Sequence, residues 1–549
     1  MLPNKKKMTQ TQNFETQTKA LIDDLKSVCA NNGLGNSAKE FTIISQLFLY
    51  KFLNDKYVYE IKQIEPALAA ADDFDAALKS YSEDDLELLN MQLNESTAII
   101  DSENLLSKIF KLQNENKFSE IFDQALFKIA SKNSDIFSVL TQGGEKIILF
   151  ESISDKVTET KDNFCKALVN KLVGFSFEHI FNQKFDFFAT IFEYLIKDYN
   201  SNSGGKYAEY FTPHAVAKIM AACLVTDKET NNATCYDPSA GSGILLMNLA
   251  NAIGEDKCTI YSQDISEKSS ALLRLNLILN NLVHSVQNII KGNTILNPHH
   301  KQESGQLETF DYIVSNPPFK LDFSDYSATL DSKANKERFF AGIPKVPAKK
   351  KESMAIYLLF IQHIMHSLSA KGKAAIVVPT GFITAQTGID KKIRQKLVES
   401  KMLAGVISMP SNIFATTGAN VSILFLDKDN TQDVVLIDAS NLGSKIKDSN
   451  GNQKTVLSDL EEKQIIAVFN AKEIKEDFSV VVSYADIKAK NYSLSAGQYF
   501  EVKIDYLDIS ANDYNIKMNY FESNLETLFT ESKSLELKIQ NNLKSLKHE

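Results

Sequence analysis

TCYDPSAGSGILLM, residues 234–247, is the stretch that decides the fold. A short β-rich run, Thr234–Asp237, enters a turn with glycines at 241 and 243, and an apolar helical run opens at Ile244. Glycine at those two positions permits a tight turn and close approach of a ligand to the backbone. Downstream, the β-rich run Thr259–Asp264 ends on a carboxylate 23 residues after Gly241. Further runs follow at Asn288–Lys291, Asp311–Ser315, Ala374–Pro379, Gly405–Met409 and Ser422–Asp427, with helical stretches between them. Alternation of this kind predicts an α/β fold, a mainly parallel sheet covered by helices on both faces. Ligands of such sheets bind beyond the carboxyl ends of the strands. The chemically informative residues are therefore expected directly after the strands.

A carboxylate at Asp264 can accept hydrogen bonds from both hydroxyls of a ribose. Two cofactors satisfy that logic, a dinucleotide and S-adenosylmethionine. The dinucleotide fingerprint needs a third glycine three residues after the second, and that position holds Leu246. Asp237, just ahead of the loop, is poorly placed for a pyrophosphate and well placed for the ammonium of a methionine moiety. These features favour S-adenosylmethionine, held by Asp237, Ser239, Gly241, Ser242, Gly243 and Asp264. A glycine pair alone is as often a structural turn; the carboxylates on both sides set this one apart.

The apolar run FDYIVS (310–315) ends in Asn316-Pro317-Pro318-Phe319. An exocyclic amino group on adenine is a poor nucleophile, because its lone pair is delocalised into the ring. Acceptors for its two N–H groups localise that pair. An Asn side-chain oxygen and a Pro backbone carbonyl can serve. Proline biases the residue before it towards extended backbone, and an aromatic can stack on a flipped-out base. The bland alternative is a strand-ending turn with a packed Phe. A glycine loop about 75 residues upstream makes the chemical reading much the stronger.

Around this centre the chain divides into a helical N-terminal domain over 1–170, an α/β domain over 171–430, a mixed region over 431–519 and an amphipathic helix over 520–549. The first 170 residues read as helical throughout, with Ile43, Ile44, Leu47, Phe48, Phe52 and Leu53 on one apolar face. NSNSGGK (200–206) is the clearest punctuation before the α/β texture begins. In the last thirty residues Leu525, Leu528, Leu535, Ile539, Leu543 and Leu546 recur at mostly three- and four-residue intervals. That helix either folds back on its own chain or docks on a partner. Residues 333–351 carry seven basic side chains (Lys333, Lys336, Arg338, Lys345, Lys349, Lys350, Lys351) against Glu337 alone. They form either a solvated loop or a DNA-facing one.

Composition sets the limits. The chain has 549 residues, 44% hydrophobic and 23% charged, which excludes a disordered or collagen-like polymer. Sixty Lys plus Arg against 69 Asp plus Glu leave a net charge of −9. A chain that gripped DNA alone is usually basic, so any grip on nucleic acid must come from a local patch or a partner. Five cysteines, an odd number without a CxxC pair, argue against a disulfide framework and a zinc site. His363 and His366 are three apart but lack a third ligand, so no metal is expected. The opening MLPNKKKMTQTQNF has no apolar stretch after its basic residues, so it does not read as a signal peptide. The uncharged run Ser353–Ala370 contains Gln362, His363 and His366 and reads as a buried helix. A cytoplasmic protein without membrane contact is expected.

The order of these motifs resembles the γ-class of N6-adenine DNA methyltransferases, and more narrowly the modification subunit of type I restriction–modification systems. The resemblance runs from about residue 175 to 500. Glu209-Tyr210-Phe211-Thr212-Pro213-His214 resembles the family's cofactor-binding segment, Asp237–Gly243 its methionine-contacting loop, and Gln263-Asp264 its ribose-binding acidic position. Gly292-Asn293-Thr294 resembles a Gly-Asp-Thr segment whose Asp contacts the cofactor's adenine amino group; Asn293 departs from that Asp but keeps an acceptor oxygen. RFFAGIP (338–344), the helix around His363, VVPTGF (377–382), PSNIFATTGANVSILFL (410–426) and NYSLSAGQYFE (491–501) also resemble family segments. The resemblance implies a Rossmann-like S-adenosylmethionine-dependent methyltransferase domain with Asn316, Pro317, Pro318 and Phe319 as the catalytic turn. It implies methylation of the adenine N6 amino group in DNA. It also implies a complex with a specificity subunit, a second copy of this chain and an optional restriction subunit. Two rivals share the motifs: a methyltransferase acting on a protein glutamine amide, and an inactive scaffold of the same fold.

Overall fold

The computed structural model describes residues 5–181, 194, 212–227, 230–414, 420–447, 453–500 and 509–545. The chain divides into two compact units, Met1–Tyr499 and Phe500–Glu549.

In the first unit the described strands are β1 (Val139–Thr141), β2 (Lys146–Ile147), β3 (Ala233–Asp237), β4 (Cys258–Asp264), β5 (Ile289–Lys291), β6 (Phe310–Ser315) and β7 (Leu368–Pro379). They continue with β8 (Leu403–Ser408), β9 (Val421–Asp427), β10 (Val434–Asp438), β11 (Ser444–Lys447), β12 (Gln453–Val456) and β13 (Ser479–Val482). Eleven of them form one sheet in the order β13-β10-β8-β9-β7-β6-β3-β4-β5-β1-β2, and β11 pairs with β12 apart from it. The central strands are runs of buried apolar side chains, as strands covered on both faces must be. Helices His214–Leu224, Ile244–Ile253, Glu267–Leu279 and Tyr357–His366 pack against the sheet. Helix Tyr357–His366, at the heart of the uncharged run, is buried over Tyr357 to Met365. Among the described residues no helix is long and apolar enough to cross a membrane.

The expected α/β fold is present, but the sheet is mixed. β1, β5, β4, β3, β6 and β7 are parallel to their neighbours in that order. β9 inserts antiparallel between β7 and β8, and β13 is antiparallel to β10. β10 to β13 lie in the part beyond residue 430 that reads as mixed short elements.

The expectation that residues 1–170 are helical throughout needs correction. β1 and β2 form a hairpin there, and β1 adds to the sheet edge, with Leu140 opposite Ile290 and Thr141 opposite Lys291. The runs Val139–Thr141 and Lys146–Ile147 carry no readable periodicity of their own; they are strands because the free edge of β5 offers β1 a partner, and β1 in turn pairs with β2. The helix Ala38–Ile64 lies deep in the N-terminal core and buries more than the face its pattern predicts. Asp55 on that helix accepts from Lys51 Nζ at 2.8 Å, Asn54 Nδ2 at 3.0 Å and the Phe177 amide at 2.8 Å, so its charge is neutralised and its lone pairs are used.

Arg274 fastens the hairpin to the α/β core. It rises from helix Glu267–Leu279, is 6% exposed, and donates to the carbonyls of Ile147 and Ile148 at 3.1 Å and Leu149 at 3.3 Å. Removing it strands several buried acceptors, each costing about 1–3 kcal/mol. Arg274→Ala is therefore expected to lower stability by roughly 2–4 kcal/mol, read by denaturant unfolding. Arg274→Lys recovers little, because one ammonium cannot reach all three carbonyls.

Candidate active site

β6, β3, β4 and β5 are consecutive parallel neighbours, so their carboxyl ends share one edge. The chain moves outward from β3 through β4 to β5, then returns to lay β6 on the other side of β3. That reversal leaves a crevice beyond the strand ends. A cavity of about 990 Å³, including its mouth, occupies it and is walled by Asp237, Gly241, Asp264, Asn293 and Asn316 among others. Four loops that lie far apart in sequence thus supply one wall each.

The loop after β3 is fixed from both sides. Gly241 and Gly243 adopt φ of +54° and +84°, the left-handed region that favours glycine. The Gly241 amide donates to Asp264 Oδ2 at 2.9 Å. Ser239, Gly241 and Ser242 line the cavity, whereas Gly243 stands off it. A Cβ at Gly243 would meet Leu273 Cδ1 at 2.2 Å, so this glycine lets two helices close on each other.

Asp237 is fully buried. Its Oδ1 accepts from the Ser239 amide at 2.9 Å, while Oδ2 has no partner. Burial pushes this carboxyl up to about 8, with the Ser239 amide opposing and the Asp264 charge adding to the rise. Burial likewise raises Asp264, against the amides of Ser266 and Gly241 that favour its charge. An orphaned carboxyl oxygen on a cavity wall suits a cationic ligand group, since only a positive partner offsets the cost of ionising it there. The donor set therefore fits the ammonium, ribose and adenine of S-adenosylmethionine: Asp237 at one end, Asp264 in the middle, and the loop after β5 beyond.

Asn293 lines the cavity, and its Oδ1 accepts from the Leu296 amide at 3.0 Å, closing a turn and leaving a second lone pair. Thr294 Oγ1 donates to the Pro238 carbonyl at 2.7 Å, joining this loop to the one after β3. Gln142, next to β1, covers the loop from outside: a Cβ at Gly292 would come within 2.7 Å of Gln142 Oε1. Gln142 Nε2 and Gln263 Nε2 both donate to the Asn297 carbonyl, at 2.7 and 2.9 Å.

At the end of β6, Asn316 and Pro318 face the cavity, Pro317 is buried, and half-buried Phe319 packs edge-on to Tyr357 with centroids 6.1 Å apart. Asn316 Nδ2 donates to Thr212 Oγ1 at 3.2 Å. The amide thus spends a donor on Thr212 and leaves Oδ1 for a substrate. Ser239 and Ser315 hydroxyls meet at 2.8 Å behind the two loops.

Of the segment 209–214, Thr212 reaches the cavity wall. Pro213 and His214 open the helix His214–Leu224 and stand off it. Glu209, Tyr210 and Phe211 lie outside the described residues. The sequence alone does not mark Gln142, Tyr326, Ile356 or Phe360, nor the link from Thr212 to Asn316. The sequence reading also misassigned Arg338, grouped with a DNA-facing run but 5% exposed. The six lysines of that run are exposed. All five cysteines are buried thiols.

Residues 183–522 match the N-6 DNA methylase family, more than half of the chain. The chain is 29% identical over 343 residues to the type I restriction enzyme MpnII methylase subunit of Mycoplasma pneumoniae, covering 61% of this chain and 60% of that protein. It is 25% identical over 396 residues to the MjaIX methylase subunit of Methanocaldococcus jannaschii, covering 69% of this chain and 66% of that one. These alignments span about 60% and 66% of the two relatives' lengths. The crystal structure of a type I restriction-modification methyltransferase subunit from Streptococcus thermophilus shares the fold at a TM-score of 0.69, with 22% identity over 89% of this chain and all of that one.

The buried acid makes a signed prediction. The carboxyl of Asp237 has an ordinary value of 3.8 and lies near 8 in the folded chain. Between about pH 4 and pH 8 the folded state keeps a proton that the unfolded chain has lost, so ligand-free stability falls as pH rises through that window. Asp237→Asn removes this contribution. Its midpoint of thermal unfolding is expected to fall less than the wild type's between about pH 5 and pH 8.5; parallel curves would contradict the assignment.

Proposed function

Because the chain belongs to the N-6 DNA methylase family, we propose that it transfers a methyl group from S-adenosylmethionine to the N6 amino group of adenine in DNA. On this reading it acts as the modification subunit of a type I restriction–modification complex. The observation that carries the proposal is the convergence of the Asp237–Gly241 loop and the Asn316–Phe319 turn on one cavity. The rival readings, a glutamine-amide methyltransferase and an inactive scaffold, find no support among the relatives.

The bound cofactor supplies an electrophilic methyl group on sulfur. Asn316 Oδ1 and the Pro317 carbonyl accept the two N–H groups of the adenine amino group and localise its lone pair. Thr212 keeps the Asn316 amide turned the right way for this. Phe319 presents a ring face to the flipped base. No covalent intermediate with the chain is needed, so catalysis rests on positioning and acceptor hydrogen bonds. Asp237 takes the ammonium, Asp264 the ribose hydroxyls, and Asn293 the adenine of the cofactor.

The exposed lysines 333, 336, 345, 349, 350 and 351 belong to the segment between β6 and helix Tyr357–His366. That segment has its own small core of Phe323, Leu330, Phe339, Met354 and Ile356 with Leu359 and Phe360. Exposed Leu321 and half-buried Tyr326 of this segment line the cavity. A basic outer surface beside the target site suits phosphate contacts. Sequence choice is assigned to a specificity subunit, with a second copy of this chain in the complex and a restriction subunit as an optional addition.

The helix Ala511–Ser545 supports the subunit reading. Within its own unit it buries none of its residues, and it carries Leu525, Leu528, Leu535, Ile539 and Leu543; Leu546 lies outside the described residues. A chain ending at residue 510 is expected to bind cofactor normally and to fail to co-elute with the specificity subunit in size-exclusion chromatography. Normal co-elution removes the docking role.

The catalytic turn is tested by separating binding from transfer. Asn316→Ala should keep cofactor affinity and lose single-turnover methylation of DNA by several orders of magnitude. Thr212→Val should lose less. Phe319→Ala should cost about 1–3 kcal/mol of base stacking, which Phe319→Tyr restores. Full activity in Asn316→Ala would refute the role.

A further inference from the structure

Arg338 is the one basic side chain of the run 333–351 that the fold turns inward. Every nitrogen of its guanidinium is used, and none meets a carboxylate. Nη1 donates to the Ile295 carbonyl and Nη2 to the Thr294 carbonyl, both at 2.9 Å. Nε donates to His363 Nδ1 at 3.1 Å. That bond fixes the histidine. Nδ1 must offer a lone pair, so the ring proton sits on Nε2, which meets the Tyr236 hydroxyl at 3.3 Å. The ring is 2% exposed, and burial together with the Arg338 charge holds it neutral. Tyr236 in turn stacks on Phe310, with centroids 4.3 Å apart.

The two carbonyls held by Arg338 follow Asn293, and Thr294 and Ile295 themselves line the cavity. Tyr236 immediately precedes Asp237. Helix Tyr357–His366, which carries His363, also sends Phe360 to the cavity. One side chain thus joins three walls of the same cavity from behind: the loop after β5, the end of β3 and the helix ahead of β7. Two parallel N–H bonds from one rigid fork fix both the position and the tilt of the peptide planes they hold.

We propose that Arg338 is a positioning residue for cofactor binding, with His363 and Tyr236 as its supports: it sets the Asn293–Ile295 wall against which the adenosyl end of the cofactor lies. The role rests on the cavity being the cofactor site. It touches neither cofactor nor base and acts through the wall it holds.

The test uses the full-length chain with its specificity subunit. Calorimetric titration of the wild type with S-adenosylhomocysteine comes first, and absence of binding overturns the cofactor-site reading itself. Arg338→Lys keeps the charge and loses the fork. It is expected to weaken S-adenosylhomocysteine binding at least tenfold and to raise KM for the methyl donor in step, while kcat at saturating donor stays within about threefold. Hydrogen exchange over residues 291–298 should speed up, while that over β6 should not change. Tyr236→Phe removes one hydroxyl and keeps the ring on Phe310, so it folds even where Arg338→Lys does not. It should weaken the same binding about two- to threefold and quicken exchange in the same segment. Wild-type affinity and wild-type exchange at 291–298 in a folded Arg338→Lys, or in Tyr236→Phe, overturn the proposal. So does a loss that falls on kcat with KM unmoved.

Discussion

Asp264 ties three loops at one residue. Its carboxylate accepts from the Gly241 amide at 2.9 Å and the Ser266 amide at 2.8 Å, and its backbone carbonyl accepts from the Gly292 amide at 2.8 Å. Those amides belong to the connections after β3, β4 and β5. Parallel strands bring these connections to one edge, but nothing in strand pairing fixes their shapes. A charged acceptor makes hydrogen bonds roughly twice as strong as a neutral one. Gly241, held at a left-handed φ, is the partner that needs this most. The hydrogen bonds to this carboxyl give the cavity defined walls; burial raises its proton affinity, and the amides it binds oppose that rise.

Charge inside the unit follows a pattern. Arg274, Arg338 and Arg394 are all buried, and each donates to main-chain carbonyls from segments distant in sequence. Arg274 joins the β1–β2 hairpin to the core, Arg338 the cavity wall, and Arg394 the Tyr492 region to helix Gly388–Glu399. A guanidinium can satisfy several carbonyls at fixed angles, which an ammonium cannot. The buried positive charges are therefore consumed by scaffolding. Arg274 Nε is left without a partner away from the cavity, whereas Asp237 keeps a buried oxygen without a partner on a residue that lines it. A site built this way favours a cationic donor, which pairs that oxygen and offsets the cost of ionising a carboxyl that burial otherwise keeps protonated.

Most strands of the sheet's interior were legible in the sequence, three-residue β5 among them. β3, β4, β5, β6, β8 and β9 fall within one or two residues of the expected runs, because apolar β-branched stretches bounded by polar turns have few alternatives. β7 starts earlier than expected, at Leu368. The stretch SAKGK gives no strand pattern, and it joins the strand only because β6 and β9 flank the apolar run after it. The hairpin β1–β2 was illegible for the same reason in stronger form. In the site, residues adjacent to strand ends were readable: Asp237, Gly241, Asp264, Asn293 and Asn316 all reach the cavity. Contacts made across sequence were not. Nothing local marks Thr212 as the partner of Asn316, or Gln142 as the cover of Gly292, 150 residues apart in the chain. Arg338 was misread because a basic run carries no signal for which member turns inward; only the carbonyls of Thr294 and Ile295 decide that.

The remaining lysines reconcile a net charge of −9 with the polyanionic substrate proposed for the chain. Screening at physiological salt reduces charge effects beyond about 8 Å. A phosphate near lysines 333, 336, 345, 349, 350 and 351 therefore responds to that surface and hardly to the acidic remainder of a large chain. The remainder still matters at encounter, where it disfavours every approach except the one that brings the basic segment forward. That same segment also lines the cavity, through Leu321 and Tyr326. Under the proposed function, an orientation selected by charge on the outside is one that presents the duplex to the Asn316 turn. Such a surface orients without reading sequence, because phosphate contacts carry no base information. Under the proposed function, base reading would therefore have to come from groups other than these lysines.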